Sequence, residues 1–283
     1  MAKLKKRLPG NRTLEQITNH YEVEKAIANR LRQATREERK SIYRTMYDEL
    51  FVKVPDHPRL TRRENPNQTK RANKQKFRLV RKFINKETAF VEFAPGDCRF
   101  AKFMCPCVKS VYGIDISDQK GAIGDMPDNF CLKIYDGFDL SLPDNTADVV
   151  FSDQLLEHLH PEDTEAHFRL VQRILKPGGV YVFRTPHRYT GPRDISKYFS
   201  DEAEGFHLKE WTYAEMEQAL NKNGFSSWSG YWFPRVILLK MPKSYFRFIE
   251  YIFNGLPARI RRYVSMIFVP NVTIVAVNEQ SFC

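Results

Sequence analysis

The sequence predicts an α/β protein: a Rossmann-like, mostly parallel sheet of seven strands with helices on both faces, preceded by an α-helical N-terminal extension. Two observations carry this prediction. From residue 88 onward, short apolar runs alternate with segments of helical periodicity, which is typical of parallel βαβ units. Before residue 88 the apolar positions follow helical spacing alone. We therefore expect a helical extension at residues 1–86 and an α/β domain at residues 87–283.

The extension is strongly basic. The chain carries a formal net charge of +11, and residues 1–90 hold 24 Lys and Arg against 10 Asp and Glu. Such an excess suits contact with phosphates, an acidic lipid surface or an anionic substrate, and a solvated helical surface explains it equally well. Helices are predicted at 14–31, 36–52 and 72–84, with a proline-containing linker at 55–70.

Seven short apolar runs are predicted to form the strands of the domain. They are 89–93, 111–115, 132–135, 147–152, 180–184, 228–233 and 272–277. A helix at 162–175 precedes the fifth strand, and Pro177-Gly178-Gly179 is predicted to stop it. Thr212 and Glu215 have the spacing of a capping box that opens a later helix, which Gly224 closes.

Informative residues follow four of the predicted strands. Ligands bind at the carboxyl ends of the strands in a sheet of this type. Gly96, after the first strand, allows the backbone to approach a ligand closely. Asp115 ends the second strand and can accept hydrogen bonds from both hydroxyls of a ribose. Asp136-Gly137 and Asp153-Gln154 follow the third and fourth strands. The four ends together predict a nucleotide-type cofactor site.

Residues 88–225 resemble a class I S-adenosylmethionine-dependent methyltransferase of the small-molecule type. The segment 91–97, Val-Glu-Phe-Ala-Pro-Gly-Asp, resembles the first motif of that family, and 111–115 resembles the second. The segments 135–137 and 142–150 resemble the third and fourth motifs. The resemblance implies S-adenosylmethionine as the cofactor and methyl transfer as the activity.

The resemblance also implies a set of cofactor contacts. They are Glu92, Phe93, Ala94, Gly96, Asp115, Ile116, Asp136, Gly137, Asp153 and Gln154. Glu92 would help hold the amino-acid end, Asp115 would take the ribose hydroxyls, and Asp136 would face the adenine amino group. Gly96 would lie under the methionine and ribose, and Asp153-Gln154 would sit near the sulfonium.

Two positions depart from the family pattern. Ala94 and Cys98 stand where the fuller pattern has glycines. A methyl group at position 94 is tolerated if φ is negative and would clash if φ is positive. A chain that had lost cofactor binding would be a catalytically silent scaffold, and this is one alternative function.

The segment after the fourth strand indicates which class of molecule accepts the methyl group. Adenine- and glutamine-directed methyltransferases carry Asn/Asp-Pro-Pro-aromatic there, whereas 152–155 reads Ser-Asp-Gln-Leu. The difference favours an oxygen or carbon acceptor on a small metabolite, a glycan or a lipid-linked molecule. The other alternative is an RNA or protein methyltransferase that uses the basic extension, although no RNA-binding module is visible.

Three histidines compete as the base that a hydroxyl acceptor would need. His187 follows the fifth strand and is expected at the rim of the site. His207 lies in a loop that can fold over the pocket, and His158 lies on the turn after the fourth strand. In each case the alternative is a hydrogen-bonded structural histidine.

The remaining predictions concern metals, membranes and location. The five cysteines lack the spacing of a zinc site, so no metal is expected. Residues 246–267 mix aromatic and basic side chains, which suits either contact with a membrane surface or a helix packed on its own domain. With no membrane-spanning stretch and no secretory signal, we expect a cytoplasmic protein, at the inner membrane surface if that contact is made. The extension is expected to form a lid or cap on the acceptor side.

Overall fold

The structure is a computed structural model that describes residues 4–62, 65–118, 124–233 and 237–279. Cys283 lies outside the described residues. No helix in these ranges has the length and apolar character needed to cross a bilayer.

The first two helices of the extension match their predicted positions. They are α1, Leu14–Gln33, and α2, Arg36–Lys53. Each begins with a reciprocal capping box, in which the threonine hydroxyl accepts from the third backbone N–H and the side chain there accepts from the threonine N–H. The caps satisfy N–H groups that a helix start leaves without partners.

The predicted linker at 55–70 and third helix at 72–84 are misplaced. A short helix, α3, covers Pro58–Arg62, and α4 covers Pro66–Val80. The Asn65 side chain caps α4 by accepting from two backbone N–H groups, and Pro66 occupies the first turn. Proline fits there because its missing N–H has no partner in a helix start. Pro66 therefore begins a helix where the sequence analysis placed a linker.

The sheet has eight strands in the order β3-β2-β1-β4-β5-β8-β6-β7. They are β1 Ala89–Phe93, β2 Ser110–Asp115, β3 Phe130–Ile134, β4 Ala147–Asp153, β5 Leu175–Pro186, β6 Ser227–Trp232, β7 Leu239–Met241 and β8 Asn271–Val277. The first five strands are parallel, and β8 lies antiparallel between β5 and β6. The predicted Rossmann-like class is confirmed, and the eighth strand is the three-residue edge strand β7.

Helices cover both faces of this sheet. They are α5 Arg99–Met104, α6 Pro161–Ile174, α7 Tyr213–Lys222, α8 Lys243–Asn254 and α9 Ala258–Phe268. Alternation along β1 shows the two faces, since Phe93 packs in the cluster with Phe168 of α6 and Phe90 packs in the cluster with Phe100 of α5. Both clusters are almost fully buried.

For α6 and α7, the helix boundaries agree with the sequence analysis except at the end of α6. The Thr212 capping box and Gly224, with φ +84°, bound α7 as predicted. Helix α6, however, ends at Ile174, and Pro177-Gly178-Gly179 lies inside β5. Leu175 already pairs with Ala147 of β4, and a register irregularity follows. Strand pairing ends this helix before the glycines are reached.

Candidate functional site

A cavity of about 260 Å³ lies at the carboxyl ends of the parallel strands, between the sheet and the N-terminal helices. Seven of the ten predicted cofactor residues line it: Ala94, Gly96, Asp115, Ile116, Gly137, Asp153 and Gln154. The opposite wall comes from α2, α3 and α4, through side chains such as Tyr43, Tyr47, Arg59 and Lys76. Sheet and extension therefore build one site together.

Asp115 and Gly96 form the best-defined part of the cavity. The Asp115 carboxylate is 5% exposed and accepts from the backbone N–H groups of Gly96, at 3.0 Å, and Ile116, at 2.8 Å. Burial raises the pKa of this carboxyl, while these N–H donors act in the opposite direction. At Gly96, φ is +56° and no atom lies within 4 Å of the position that a Cβ would take. The loop thus leaves open space beside a fixed carboxylate.

Glu92, in β1, lies behind the loop that contains Gly96. It is 1% exposed, and its Oε1 accepts from Lys76 Nζ at 3.1 Å. Its Oε2 is buried and has no hydrogen-bond partner among the described residues. A buried carboxylate oxygen without a partner can accept a hydrogen bond from the ammonium group of an amino acid. The Lys76 ammonium, which lines the cavity, can pair with the carboxylate of that amino acid. The residues present therefore fit the amino-acid end and the ribose of S-adenosylmethionine.

Comparisons with known proteins agree with this fit. The family model described as "Methyltransferase domain" matches residues 91–183. A Mycolicibacterium smegmatis protein described as a probable S-adenosylmethionine-dependent methyltransferase is 36% identical over 87 residues, which are 31% of this chain and 32% of that protein. Residues 91–183 therefore match a methyltransferase domain, and the matched relative is described as S-adenosylmethionine-dependent.

Solved structures show the same fold for a larger part of the chain. Phosphoethanolamine N-methyltransferase 1 of Haemonchus contortus, in complex with phosphoethanolamine and S-adenosylhomocysteine, has a TM-score of 0.55 at 14% identity, over 86% of this chain and 50% of that one. An S-adenosylmethionine-dependent methyltransferase of Archaeoglobus fulgidus has a TM-score of 0.50 at 18% identity, over 72% and 92%. At such identities the likeness concerns the fold.

The methyltransferase loop contains two strained residues. Ala94 and Cys98 have φ of +51° and +56°, the left-handed region in which the family pattern has glycines. For a residue with a Cβ this conformation costs roughly 1–2 kcal/mol. Ala94 is exposed at the cavity wall, so its methyl group narrows the site. The backbone angle is the one for which the sequence analysis expected a clash.

Two further predicted cofactor residues lie behind the cavity wall of the methyltransferase. Phe93 packs edge-on against the ring of Tyr135, with centroids 6.0 Å apart. Asp136 Oδ1 accepts from the N–H groups of Phe138 and Asp139, at 2.9 and 2.7 Å. Asp136 therefore shapes the turn after β3 and presents its neighbour Gly137 to the cavity.

Asp153 and Gln154 stand at the end of β4. Both Asp153 oxygens accept from Arg184, at 2.7 and 2.8 Å, which orients the carboxylate. Gln154 has φ +63°, so the chain turns sharply where it meets the cavity. Strained backbone at this point of the methyltransferase keeps its polar side chains in one arrangement.

Of the three predicted histidines, His158 lines the cavity. Its Nδ1 donates to the Phe206 carbonyl at 2.9 Å, so Nε2 carries the free lone pair. Burial, followed by the nearby charge of His207, holds the pKa of His158 well below its usual value. The imidazole of His158 is therefore neutral at pH 7, and its Nε2 lone pair is available for a hydrogen bond or a metal ion.

The other two histidines lie behind the surface of the site. His207 is buried next to His158, with ring centroids 5.1 Å apart, and its Nδ1 donates to Glu210 at 2.7 Å. His187 is fully buried, not at the rim as expected. Its Nε2 lies 2.8 Å from Glu250, and its Nδ1 accepts from the Tyr189 N–H. The geometry gives His187 a structural position.

The sequence analysis missed the residues that α3 and α4 bring to the cavity. Arg59 packs over the ring of Tyr47, with its guanidinium 5.0 Å from the centroid, and Lys76 pairs with Glu92. The segment holding Arg59 was predicted to be a linker, and nothing local marks Lys76 among the other basic residues of α4. Only the docking of these helices selects them.

Proposed function

We propose that this chain transfers a methyl group from S-adenosylmethionine to an oxygen or carbon of a small metabolite, a glycan or a lipid-linked acceptor. The supporting observation is a single cavity that joins the Gly96–Asp115 loop to His158 under helices of the same chain. Bound S-adenosylmethionine supplies an electrophilic methyl group. The chain's own residues have to orient the two partners, exclude water and accept a proton.

Each of these tasks has a candidate residue. Asp115 would bind the ribose hydroxyls, and the Glu92–Lys76 pair would hold the charged amino-acid end. His158 would accept the proton of a hydroxyl acceptor through its neutral Nε2. Replacing His158 with Gln is expected to abolish turnover while the cofactor still binds, because Asp115 and its hydrogen bond from Gly96 are left intact. Full turnover in this variant would exclude the proposed role.

The extension would serve as the lid of the site. Tyr43, Met46 and Tyr47 of α2 line the cavity, so removing them would open it to water. We keep the division into an extension at 1–86 and a methyltransferase domain at 87–283 as part of this proposal. Retained folding and acceptor turnover after removal of residues 1–70 would contradict the lid.

Two features support a small acceptor over RNA or a protein. A cavity of about 260 Å³ is small for a ligand site, so little room remains beside the cofactor. Several basic residues of the extension are also engaged within the chain. These pairs are Arg12–Asp56, Lys25–Glu204, Arg30–Glu49 and Arg39–Asp163. They leave less free charge for a phosphate backbone. Salt-sensitive retention of RNA by the purified protein would reverse this preference.

Calorimetric titration with S-adenosylmethionine and S-adenosylhomocysteine tests the proposal. We expect micromolar binding that Asp115→Ala removes and that Asp144→Ala retains, since Asp144 is an exposed partner of Arg173 far from the loop. Binding would justify a screen of acceptors with labelled cofactor. A folded, monodisperse protein that binds neither molecule would favour the silent scaffold.

We also propose that α8 and α9 contact an anionic membrane surface from the cytoplasmic side. Large apolar side chains on these helices face solvent, with Tyr251 82% exposed, Tyr263 73% and Phe248 61%. Arg259 and Arg262 flank them, which suits acidic headgroups. A lipid-linked acceptor would then be presented near the enzyme.

Sedimentation with vesicles tests this contact. We expect binding to phosphatidylserine-containing vesicles and little binding to pure phosphatidylcholine. A Tyr251→Ser, Tyr263→Ser variant should lose most of it, whereas Val52→Ser on α2, an equally exposed apolar site, should not. Equal sedimentation of all three proteins would contradict the proposal.

A further inference from the structure

Glu157, His158 and His207 converge beside the cavity. One ligand atom from each lies within 4.8 Å of the other two. Glu157 and His158 follow β4, whereas His207 comes from the loop before α7, so the cluster forms only in the folded chain. His158 lines the cavity, and Glu157 and His207 are buried behind it.

The hydrogen bonds of the two histidines leave the correct nitrogens free for a metal ion. Nδ1 of His158 donates to the Phe206 carbonyl, and Nδ1 of His207 donates to the Glu210 carboxylate. Metal-binding histidines commonly donate their second ring N–H to a carbonyl or carboxylate, which fixes the ring and raises the basicity of the ligating nitrogen. In each ring, Nε2 is therefore the nitrogen that remains for a ligand.

Glu157 supplies an independent observation. Its side chain is fully buried, and Oε2 accepts from the Thr185 hydroxyl at 2.9 Å. Oε1 has no hydrogen-bond partner in the part of the chain that the structure describes. A buried carboxylate oxygen without a partner is unfavourable by roughly 1–3 kcal/mol or more, and a cation bound there would remove that penalty.

The surrounding charge suits a cation. Glu210 accepts from Nδ1 of His207 at 2.7 Å, so a second carboxylate lies beside the cluster. Arg184, the nearest strong positive group on β5, is already paired with Asp153. The carboxylates of Glu157 and Glu210 beside the two rings would favour a divalent cation.

We propose that Glu157, His158 and His207 bind one divalent transition-metal ion, of the Zn²⁺, Mn²⁺ or Fe²⁺ class, next to the cavity. Two imidazoles and one carboxylate form a ligand set typical of these ions and leave positions for water or substrate. With metal–ligand distances of about 2.1 Å, small rotations of the side chains would close the set.

A second cluster of histidine and glutamate side chains lies in the same chain and differs in its hydrogen bonds. His20, Glu24 and His57 also lie within 4.8 Å of one another. There, however, Arg12 donates to His20 Nδ1, and the Arg59 backbone N–H donates to His57 Nδ1. Each of these rings therefore carries its proton on Nε2, which a metal ion would have to displace. The cluster is built as a hydrogen-bonded network and serves as the control.

The ion would change what His158 does. As a ligand, His158 would no longer accept the acceptor's proton. The ion would instead bind the acceptor oxygen and lower the pKa of its hydroxyl, so that the proton could pass to water. This consequence rests on the proposed function, whereas the binding of the ion does not. The test therefore measures metal directly and separates the two.

The experiment uses the full-length protein without an affinity tag, stripped with chelator and then dialysed against Zn²⁺, Mn²⁺ or Co²⁺. Elemental analysis should find one ion per chain, and Co²⁺ should give the visible spectrum of a site with nitrogen ligands. Glu157→Gln and His207→Gln should each weaken binding at least 10-fold, whereas His20→Gln should retain it. Circular dichroism and thermal melting check that each variant is folded.

The outcomes separate the two proposals. Stoichiometric binding that depends on His207 supports the site even if no acceptor has been found. A folded wild-type chain without bound metal, or with metal that His207→Gln and Glu157→Gln do not weaken, overturns it. Loss of metal only in His20→Gln would place the ion in the other cluster and also overturns it. None of these results depends on S-adenosylmethionine binding, which calorimetry measures separately.

Discussion

Arg39 and Asp163 form a buried, two-point ion pair across 124 residues of sequence. Arg39 Nε and Nη2 each donate to one Asp163 oxygen at 2.7 Å, and both side chains are less than 5% exposed. The Tyr43 hydroxyl adds a third hydrogen bond to Asp163, at 2.9 Å. The pair fixes α2 to the first turn of α6, so the N-terminal helices are anchored directly to a helix that packs on the sheet.

Arg39→Met should therefore destabilise the whole protein. Removing one partner leaves the buried Asp163 carboxylate without its main counter-charge, which typically costs about 3–5 kcal/mol. Urea unfolding should show the loss as one cooperative transition. Arg30→Met is the matched control, because the exposed Arg30–Glu49 pair should contribute about 1 kcal/mol or less. Equal effects of the two substitutions would show that the anchor is unimportant.

His167 should govern part of the acid sensitivity of the fold. Its ring is buried against Tyr181, and burial lowers the pKa of His167 to about 3. Because this value lies below that of the unfolded chain, the unfolded state takes up the proton first as the pH falls. The stability from a neutral His167 is complete above pH 6.5 and is lost progressively toward pH 3, by roughly 5 kcal/mol in all.

Denaturant unfolding from pH 7 to pH 4 measures this effect. His167→Gln keeps a hydrogen-bonding side chain without a titrating ring, so its free energy of unfolding should change less over that range. Parallel curves for the wild type and this variant would assign the acid sensitivity to other groups.

Ala94→Gly should stabilise the protein by up to about 1 kcal/mol. The substitution relieves a left-handed conformation that costs roughly 1–2 kcal/mol, and the greater freedom of glycine in the unfolded chain offsets part of the gain. Affinity for S-adenosylmethionine should be equal or higher, since the methyl group leaves the cavity wall. Ala72→Gly, in the cavity-lining helix α4, should instead lose about 1 kcal/mol. The same sign for both changes would contradict the strain at Ala94.

His187→Ala should affect stability and leave cofactor binding unchanged. The ring is buried against Glu250, whose carboxylate also accepts from the N–H groups of Tyr213 and Ala214 at the start of α7. Its removal leaves that carboxylate less well paired, with an expected loss of roughly 2–4 kcal/mol. Calorimetry should show wild-type affinity for S-adenosylhomocysteine. A stable variant that binds cofactor but has lost turnover would restore His187 as a candidate base.

Local patterns predicted most of the secondary structure. The capping box of α7 and the apolar run of β1 were predicted because they depend on residues a few positions apart. Pro66 was wrongly predicted to lie in a linker. A proline can end one helix or begin another, and only the Asn65 cap decides between the two. Pro177-Gly178-Gly179 was wrongly predicted to stop α6, because the pairing of Leu175 with β4 ended the helix earlier.

The candidate site likewise has one part that was predicted from the sequence and another part that was not. Gly96 and Asp115 were visible in the sequence because β1, the turn after it and β2 are close together in the chain. The roof of the cavity, the burial of His187 and the meeting of His158 with His207 were not visible. These features depend on which surfaces pack together when the segments are far apart in the chain, as they are by 124 residues for Arg39–Asp163 and by 183 for Tyr21–Glu204.

By itself, the sequence determined the Rossmann-like order of elements and the residues at the ends of the first strands, because backbone periodicity and turn chemistry are local properties. The tertiary structure decided which basic residues reach the cavity, which histidine faces it, and that Glu157, His158 and His207 share one place. Burial and long-range packing set the tautomer, charge and partners of a side chain, and neither can be read from its neighbours in the chain.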